Sequence, residues 1–446
     1  MFKRLLIANR GEIAVRIIRA CREMDIVSVA VYSTADRDSL HAHLADESIC
    51  IGPASASESY LKSSSIIAAA EVADVQAIHP GYGFLAESPK FAAICRDCRI
   101  GFIGPSVETI VLCGDKAACR KTVHDAGVPV APGSECAVKD PQEAASIARD
   151  VGYPVLVKAS AGGGGRGMRI AHNESTLKHA VSMAATEAAA AFGNGGVYIE
   201  KFIEGARHIE FQVLGDNDGN RICFAERECT IQRRHQKLIE ETPSPALTPS
   251  LRAEMTEAAL VAATALNYTN AGTVEFLLAP DNRYHFIEMN ARIQVEHPVT
   301  EESTGIDLVR EQIRLAAGEP LGYDTVKSHD AVIEARVYAE DPASNFRPNS
   351  GLVRRCHIPG GPGIRVDTHL FSGYEVPHYY DSLLAKVIAR GKTRNEAIER
   401  ISGALDELFV ENIATTASLC ARIVRGDRFR RGDTGPDLLE EYVSPE

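Results

Sequence analysis

The chain has 446 residues, a formal net charge of −12, 45% hydrophobic residues and 24% charged residues, which is ordinary for a globular protein. It is too long for one hydrophobic core, so about two to four domains are expected. The acidic balance does not favour nucleic acid, because phosphate binding normally needs a basic surface. No apolar run approaches the length that spans a membrane, so a membrane is not an expected partner either.

The first residues and the cysteines both predict a cytoplasmic protein. The segment MFKRLLIANRGE has a charged start, but its apolar stretch ends at Asn9 and is too short for a signal-peptide core. The eleven cysteines are scattered along the chain, which favours free thiols in a reducing compartment over a disulfide framework. Cys95 and Cys98 form a CxxC motif without a second pair, so we interpret them as buried thiols.

The first hundred residues alternate short apolar segments with segments whose apolar residues recur at helical spacing. This alternation predicts a parallel sheet in an N-terminal βαβ domain over residues 1–103, which Pro105 ends. The predicted strands are 3–9, 28–34, 75–81 and 100–104, and the predicted helices are 11–24, 59–73 and 87–97.

The remaining chain divides into a connection, a small unit and a large unit. A helical connection is predicted over 104–130 and a small α+β unit over 131–202, with a glycine loop between two short strands. From 203 to 446 the strands lengthen and alternate, which predicts a larger antiparallel sheet with helices packed on it. The predicted fold class is therefore α/β and α+β. The small unit has predicted helix 141–152 and strands 153–160, 168–172 and 197–202, and the large unit has strands 208–216, 271–279 and 284–292.

Two glycine motifs imitate known nucleotide-binding signatures. Gly162, Gly164 and Gly167 satisfy G-x-G-x-x-G, but a dinucleotide site needs that motif to open a helix, and here it leads into a predicted strand. Gly391 begins a GKT triplet, yet Lys386 stands where a Walker loop needs its first glycine. We therefore reject a dinucleotide site and interpret the GKT triplet as a surface turn.

The most informative segment is YPVLVKASAGGGGRGM at 153–168. A predicted strand carries Lys158, and a loop with five glycines then returns into a second strand. Glycines permit positive φ values and close backbone approach, and Lys158 places a compact positive charge beside the loop. The alternative is a flexible linker, but a linker joins domains, whereas this loop is bracketed by strands of one small unit. The segment therefore predicts a hairpin that covers phosphates.

Acidic side chains occur in two predicted neighbouring strands of the large unit. Glu275 lies in GTVEFLLA, and Glu288 lies with Asn290 in FIEMNAR. Residues 288 and 290 point to the same face of a strand. Buried carboxylates without partners are costly, and Mg²⁺ or Mn²⁺ prefers such oxygen ligands. The two strands therefore predict a divalent-cation site.

These features together resemble the ATP-grasp superfamily, in which two α+β units hold ATP between them. Further strings narrow the resemblance to the biotin carboxylases, and it covers essentially the whole sequence. The matching strings are LIANRGEIAVRIIRA (6–20), HPGYGFLAES (79–88), GDKAACRK (114–121), KASAGGGGRGMR (158–169), RECTIQRRHQKLIEE (227–241), FIEMNARIQVEHPVTE (286–301) and EARVYAEDP (334–342).

The resemblance implies an ATP-dependent ligase that carboxylates biotin with bicarbonate through carboxyphosphate. It would use ATP with Mg²⁺ or Mn²⁺ and act as one subunit of a biotin-dependent carboxylase such as acetyl-CoA carboxylase. The implied ATP-binding residues are Lys116, Lys158, Gly163, Gly164, Gly165, Gly167, Met168, Glu200, Lys201, Ile203, His208, Gln232 and His235. The implied metal ligands are Glu275, Glu288 and Asn290; the bicarbonate site is Lys237, Arg292, Gln294, Val295 and Glu296; the biotin site is Tyr82, Gly83, Gln294 and Arg336.

Four of these residues are implied to be catalytic: Lys237, Arg292, Glu296 and Arg336. Glu296 is the candidate base for bicarbonate, and Arg292 would donate two hydrogen bonds to the planar anion. Arg336 would stabilise the enolate-like oxygen of biotin.

Three simpler alternatives concern the assigned residues. Arg292 and Glu296 are four residues apart and could form only a structural ion pair. His208 could be a core histidine, and Arg336 could pair with Glu334 or Glu340. The resemblance favours the functional interpretation of each.

The expected partners follow from what the sequence lacks. The biotin carrier of this family presents its lysine in a Met-Lys-Met-like turn, which these residues do not contain. We therefore expect a biotin carboxyl carrier protein on another chain, a separate carboxyltransferase and, by analogy, a homodimer. One alternative function is another ATP-grasp ligase that joins a carboxylate to an amine. A second is a non-catalytic nucleotide-binding subunit, which the retained charged residues argue against.

Overall fold

The computed structural model describes residues 1–134, 137–138, 140–159, 168–192 and 196–443. Its N-terminal unit is a parallel five-stranded sheet in the order β3-β2-β1-β4-β5, as predicted. Side chains alternate along β1, so Leu5 and Ile7 pack with α1 while Leu6 packs with α3 on the opposite face. The elements are β1 Arg4–Ile7, α1 Gly11–Glu23, β2 Val27–Ser33, α2 Leu40–Leu44, β3 Glu47–Gly52, α3 Ser63–Val72, β4 Ala77–His79, α4 Pro89–Asp97 and β5 Gly101–Phe102, with 3₁₀ turns Thr34–Asp36 and Ala56–Glu58.

Two expectations for this unit need correction. Strand β3 was not predicted, because it is a largely exposed edge strand in which only Ile51 is buried. Cys95 is buried in α4 as predicted, but Cys98 is exposed just beyond the helix. The CxxC pair is therefore not a pair of buried thiols.

The small unit is a three-stranded antiparallel sheet in the order β7-β6-β8. The predicted glycine loop at 160–167 lies outside the described residues, but the strands on either side of it pair with each other as a hairpin requires. Val155 lies opposite Ala171, and Val157 lies opposite Arg169. The connection and this unit contain α5 Val107–Gly114, α6 Lys116–Asp125, α7 Pro141–Val151, β6 Val155–Ala159, β7 Arg169–Ala171, α8 Glu174–Phe192 and β8 Val197–Lys201.

The large unit is built on an eight-stranded antiparallel sheet in the order β13-β12-β9-β10-β11-β14-β21-β19. Helices α9 and α10 pack against this sheet. Its elements are β9 Arg207–Gly215, β10 Arg221–Arg233, β11 Gln236–Thr242, α9 Pro249–Ala265, β12 Asn270–Leu278, β13 Tyr284–Asn290, α10 His297–Thr304, α11 Leu308–Ala316, β14 Ala331–Tyr338, β15 Glu340–Asp341, β16 Arg347–Pro348, β17 Gly351–Leu352, β18 Cys356–His357, β19 Ile364–Thr368, β20 Glu375–Val376, β21 Leu383–Gly391, α12 Arg394–Glu407, β22 Phe409–Val410, α13 Ala417–Arg425, α14 Asp427–Arg430 and α15 Glu440–Val443, with a 3₁₀ turn Pro342–Ser344.

The alternation of β9 separates an apolar face from a polar face. Ile209 and Phe211 join a core cluster that also contains residues of α9, whereas His208 and Glu210 point to the opposite face. The polar face is buried too, so its charged side chains must find partners within the protein. This face carries the candidate site.

Three smaller expectations concern the turns, the membrane and the domain boundaries. Gly391 is the buried last residue of β21, and Lys392 and Thr393 form the predicted surface turn before α12, which the Thr393 side chain caps. Among the described residues, no helix combines the length and apolar character needed to cross a membrane. The domain boundaries at 103, 130 and 202 stay predictions.

Candidate active site

Paired carboxylates stand at one edge of the large sheet. Glu275 on β12 lies directly opposite Glu288 on β13, so the two predicted strands are neighbours in register. The side-chain amides of Asn290 and Gln294 donate to Glu275 Oε1 at 2.9 and 3.0 Å. Lys116, the first residue of α6, lies 2.7 Å from Glu288. The fold thus surrounds both carboxylates with donors from different parts of the chain.

Lys237 is the central cation of the site. Its Nζ lies 2.6 Å from Glu210, 2.5 Å from Glu296 and 3.4 Å from Glu275. Burial opposes the charge on this ammonium, but the three carboxylates outweigh burial and raise the pKa of Lys237 well above its ordinary value. The lysine is therefore positively charged at any physiological pH.

Glu296 connects this lysine to Arg336. It precedes α10, and its second oxygen accepts from Arg336 Nη2 at 2.8 Å. Burial opposes ionisation, but Lys237 and Arg336 hold the pKa of Glu296 well below its ordinary value. The residue is therefore an ionised carboxylate near neutral pH, as a base must be.

Arg336 does not make the alternative pairs considered from sequence. In the described part of the chain, its carboxylate partners are Glu240, at 2.5 Å, and Glu296, rather than Glu334 or Glu340. Its Nη1 donates to the Tyr338 hydroxyl at 3.2 Å. The guanidinium is thus held on one side by Glu240 and turned on the other toward the candidate base.

The alternative interpretation of Arg292 is also wrong. Arg292 pairs with Glu87 at 3.0 Å rather than with Glu296, and its Nη1 donates to Gln294 Oε1 at 2.8 Å. Its side chain is 20% exposed and that of Glu87 is 43% exposed. An exposed carboxylate partner is easily exchanged for another anion, so Arg292 remains available to a ligand.

His208 is part of the charged face rather than of the core. Its Nε2 lies 3.1 Å from Glu275 Oε2. Burial opposes protonation of the ring, but Glu275 outweighs burial and raises the pKa of His208.

Gln232 and His235 come from the hairpin that also presents Lys237. Gln232 is the register partner of Lys237, and His235 lies in the turn with φ +67°. Burial and the charges of Lys158 and His208 lower the pKa of His235.

The lysines of the predicted nucleotide site have defined partners. Lys158 Nζ lies 2.5 Å from Glu200, which Arg120 also contacts. The ammonium of Lys201 donates to the carbonyls of Gly152 and Tyr153, both at 2.9 Å. Met168 and Ile203 are half-buried beside β7 and β8. Gly163, Gly164, Gly165 and Gly167 lie outside the described residues.

The predicted biotin and bicarbonate residues are joined by a buried chain of contacts. The Tyr82 hydroxyl donates to Glu12, and Glu12 lies 3.1 Å from Lys386, whose Nζ donates to the carbonyl of Val295 at 2.9 Å. Gly83 has φ +70°, and a side chain there would meet no atom within 4 Å. Its backbone conformation favours glycine, and the open space beside it leaves room for a ligand.

Several residues of the site were missed from sequence. Glu210 shares the polar face of β9 with His208, so strand alternation could have found it. Lys386 and Glu12 carry no such signal, because both lie in apolar segments whose pattern indicates only burial. Glu240 was likewise missed, although it lies in one of the matching strings.

The carboxylates at the sheet edge fit a divalent cation. His208, Glu210 and Glu275 also have potential ligand atoms within 4.8 Å of one another. Glu210, however, already forms an ion pair with Lys237. Glu275 and Glu288 with Asn290 form an oxygen ligand set, which Mg²⁺ and Mn²⁺ prefer, whereas imidazole suits softer metals.

Comparison with known proteins gives matches along the whole chain. Residues 1–110 match the biotin carboxylase N-terminal domain, 115–323 the ATP-binding domain of the carbamoyl-phosphate synthase L chain, and 334–441 the biotin carboxylase C-terminal domain. The chain is 51% identical to biotin carboxylase 1 of Bacillus subtilis over 445 residues, which covers 99% of each.

Solved structures give the same answer. The Campylobacter jejuni biotin carboxylase in a β-γ-ATP complex has a TM-score of 0.97 and 45% identity, covering 99% of each chain. The biotin carboxylase domain dimer of Hydrogenobacter thermophilus 2-oxoglutarate carboxylase, with MgADP, ADP and bicarbonate, has a TM-score of 0.96 and 46% identity, covering 100% of each. The paired carboxylates, the central lysine and these full-length matches lead to one assignment: the chain belongs to the biotin carboxylase family.

Proposed function

We propose that this chain carboxylates biotin with bicarbonate and ATP through the residues of the charged face described above. The products are ADP, phosphate and carboxybiotin. The observation that carries the proposal is Glu296, which lies between Lys237 and Arg336 beside the paired carboxylates Glu275 and Glu288. Glu296 thus lies next to the carboxylates assigned to the metal and also contacts Arg336, the cation assigned to biotin.

The nucleotide lies between the small unit and the large sheet. Lys116, Lys158 and His208 supply positive charge for its phosphates, and Gln232 and His235 approach from the β10–β11 hairpin. The other predicted contacts are Gly163, Gly164, Gly165, Gly167, Met168, Glu200, Lys201 and Ile203. Glu275, Glu288 and Asn290 would hold Mg²⁺ or Mn²⁺, which neutralises charge on the transferring phosphoryl group when bound. Solved relatives contain a β-γ-ATP ligand, or MgADP and bicarbonate, which supports this assignment.

Bicarbonate binds at the turn between β13 and α10. Arg292 exchanges Glu87 for the anion, and Gln294, the backbone of Val295 and Lys237 contribute further donors. Glu296 takes the hydroxyl proton, so that bicarbonate oxygen attacks the γ-phosphorus and yields carboxyphosphate and ADP. Lys237 is held by three carboxylates, which fixes its charge close to the reacting anion.

Biotin binds between the loop containing Tyr82 and Gly83 and the guanidinium of Arg336. Carboxyphosphate breaks down to CO₂ and phosphate, the released phosphate takes the proton of the biotin ureido nitrogen, and that nitrogen then captures CO₂. Arg336 then stabilises the negative oxygen of the ureido group. Gln294 is assigned to both the bicarbonate and the biotin sites, and its side chain lies between Arg292 and Glu275.

The partners of the chain form a second part of the proposal. Biotin arrives on a carrier outside these residues, which we place on a separate polypeptide, with a carboxyltransferase as the next enzyme. A homodimer in the cytoplasm is the proposed state, and the dimer formed by the Hydrogenobacter domain supports the first half of that statement. Light scattering of the purified chain, and identification of the biotinylated protein that co-purifies with it, test these points.

A substrate-dependence assay tests the activity. We expect ADP formation that requires bicarbonate and rises when free biotin is added, together with transfer of isotope-labelled bicarbonate carbon to biotin. ADP formation that instead required an amine or an amino acid would favour another ATP-grasp ligase. ATP binding without any turnover would favour a non-catalytic subunit.

A further inference from the structure

A buried pair of carboxyl groups stands behind Arg336. Glu240 on β11 and Glu334 on β14 are direct register partners in the antiparallel sheet, so their side chains project side by side on one face. Both residues have 0% exposure. Two ionised carboxylates in this arrangement would repel each other without solvent to screen them.

The hydrogen bonds of the pair are incomplete. Glu240 Oε1 accepts from Arg336 at 2.6 Å, but its Oε2 has no hydrogen-bond partner among the described residues. Neither oxygen of Glu334 has such a partner there either. A buried carboxylate with no donor is strongly disfavoured, whereas one proton between the two groups would satisfy an oxygen on each.

The cations nearby are bound to other groups. On β21, Lys386 contacts Glu12 and the Val295 carbonyl, and Arg336 on β14 contacts Glu240 and Glu296. No salt bridge to Glu334 occurs in the described part of the chain. The charged groups that face Glu334 are Glu240, Lys386, Arg336 and Glu296. The two cations among them already neutralise the two carboxylates, so no positive charge is left over for an ionised Glu334.

We propose that Glu334 is a positioning residue that stays a neutral carboxylic acid and donates its proton to Glu240, so that Glu240 holds Arg336 in place against Glu296 and biotin. The contacts then run from Glu334 through Glu240 and Arg336 to Glu296. Burial, and to a smaller extent the charge of Glu240, raises the pKa of Glu334 well above its ordinary value, which agrees with this arrangement.

Loss of the Glu334 proton would change the site. A new negative charge next to Glu240 would compete with Glu296 for the guanidinium of Arg336. Capture of CO₂ by biotin depends on that guanidinium, whereas nucleotide binding does not. The proposal rests on the function assigned above, and it predicts an effect on carboxylation without an effect on nucleotide binding.

Infrared difference spectroscopy tests the protonation state without any assay of activity. The parent enzyme at mildly alkaline pH, where Glu240 is ionised, should show the carbonyl stretch of a protonated carboxylic acid, and Glu334→Gln should lack it. Absence of this band from the parent overturns the proposal even if the chain carboxylates biotin. The band does not depend on activity. A missing band would therefore overturn the proposal for Glu334 alone, whereas missing carboxylation would overturn the assigned function.

A pair of variants tests the positioning role. Glu334→Gln keeps a neutral donor of the same shape, so kcat/KM for biotin should stay within about threefold of the parent, and the fall of activity at high pH should move to higher pH. Glu334→Leu removes the donor and should lower kcat/KM for biotin at least tenfold with KM for ATP unchanged. Equal damage in both variants, or an unchanged pH profile in Glu334→Gln, overturns the proposal. If Glu334→Leu does not fold, the pH profile and infrared band of Glu334→Gln still decide.

Discussion

Two halves of the large sheet bury carboxylates equally well but surround them differently. On β12, Glu275 accepts hydrogen bonds from Lys237, Asn290 and Gln294. Its pKa lies well below the ordinary value, although burial opposes this shift. On β11, Glu240 has one cation, Arg336, and burial raises its pKa to about 7. Because burial is common to both, the number of donors decides in which direction each pKa moves from its ordinary value. The half that contains Glu275 is suited to binding a metal ion and phosphates. The half that contains Glu240 is suited to holding the guanidinium of Arg336 in place.

The largest expected effect is at the junction of the two halves. Glu296→Gln keeps the shape of the side chain but removes the base, so bicarbonate-dependent ADP formation should fall by about 10²- to 10⁴-fold. The KM for ATP should stay near the parent value, because Glu296 contacts Lys237 and Arg336 rather than the nucleotide lysines. Steady-state kinetics measures both. Glu407→Gln, at an exposed position at the end of α12, is the matched control and should behave like the parent. A Glu296→Gln enzyme with full activity would remove the assigned base.

The next effect separates the biotin half from the nucleotide half. Arg336→Ala should lower kcat for biotin carboxylation by about 10²- to 10³-fold, because it removes a preorganised positive charge from the developing oxygen anion. ATP affinity, measured by calorimetry, should change little. Arg390→Ala on β21 is the control, since Arg390 is 46% exposed. Equal loss of ATP binding and carboxylation would show that Arg336 supports the whole site rather than the biotin half.

A pH titration of stability sharpens the comparison. The pKa of Glu240 is about 7 in the folded protein, above its ordinary value, so the folded state binds more protons between pH 4.5 and 7. Its contribution to the free energy of unfolding is therefore complete below about pH 4.5 and is lost as the pH rises through 7, at about 1.4 kcal/mol for each pKa unit. Glu240→Gln should show a smaller decline in urea unfolding measured across the range, because Glu334 still binds a proton there, and Glu407→Gln should retain the full decline. A decline of the same size in both variants would assign it to another group.

The smallest effect belongs to the rim of the nucleotide site. Lys116→Gln removes one positive charge beside Glu288, so ATP affinity should fall about tenfold, which corresponds to about 1.4 kcal/mol. Lys121→Gln on the same helix is the matched control, because Lys121 is exposed and pairs with Asp125. Isothermal calorimetry with nucleotide and Mg²⁺ measures both. An equal fall in the two variants would indicate a general electrostatic effect of α6 rather than a contact of Lys116.

Much of the fold could be predicted from local patterns. The parallel N-terminal sheet and the strands on both sides of the glycine loop follow from apolar periodicity and glycine placement, and the structure confirms them. The neighbouring strands of Glu275 and Glu288 were also predicted correctly. Strand β3 was missed because an exposed edge strand leaves a weak apolar pattern. Cys98 was misjudged because helical periodicity does not show where a helix ends.

By itself, the sequence determined the classes of element, the strings that identify the family and the residue types available for phosphate, metal and carboxylate chemistry. Only the tertiary structure decided the partners of each charge. Arg336 reaches Glu240 across 96 residues of chain, and Lys237 reaches Glu296 across 59. Charge state inside a protein depends on burial and on the sum of nearby charges in space. Strands that are distant in sequence supply those charges, so no local pattern reveals which carboxyl group is ionised and which keeps its proton.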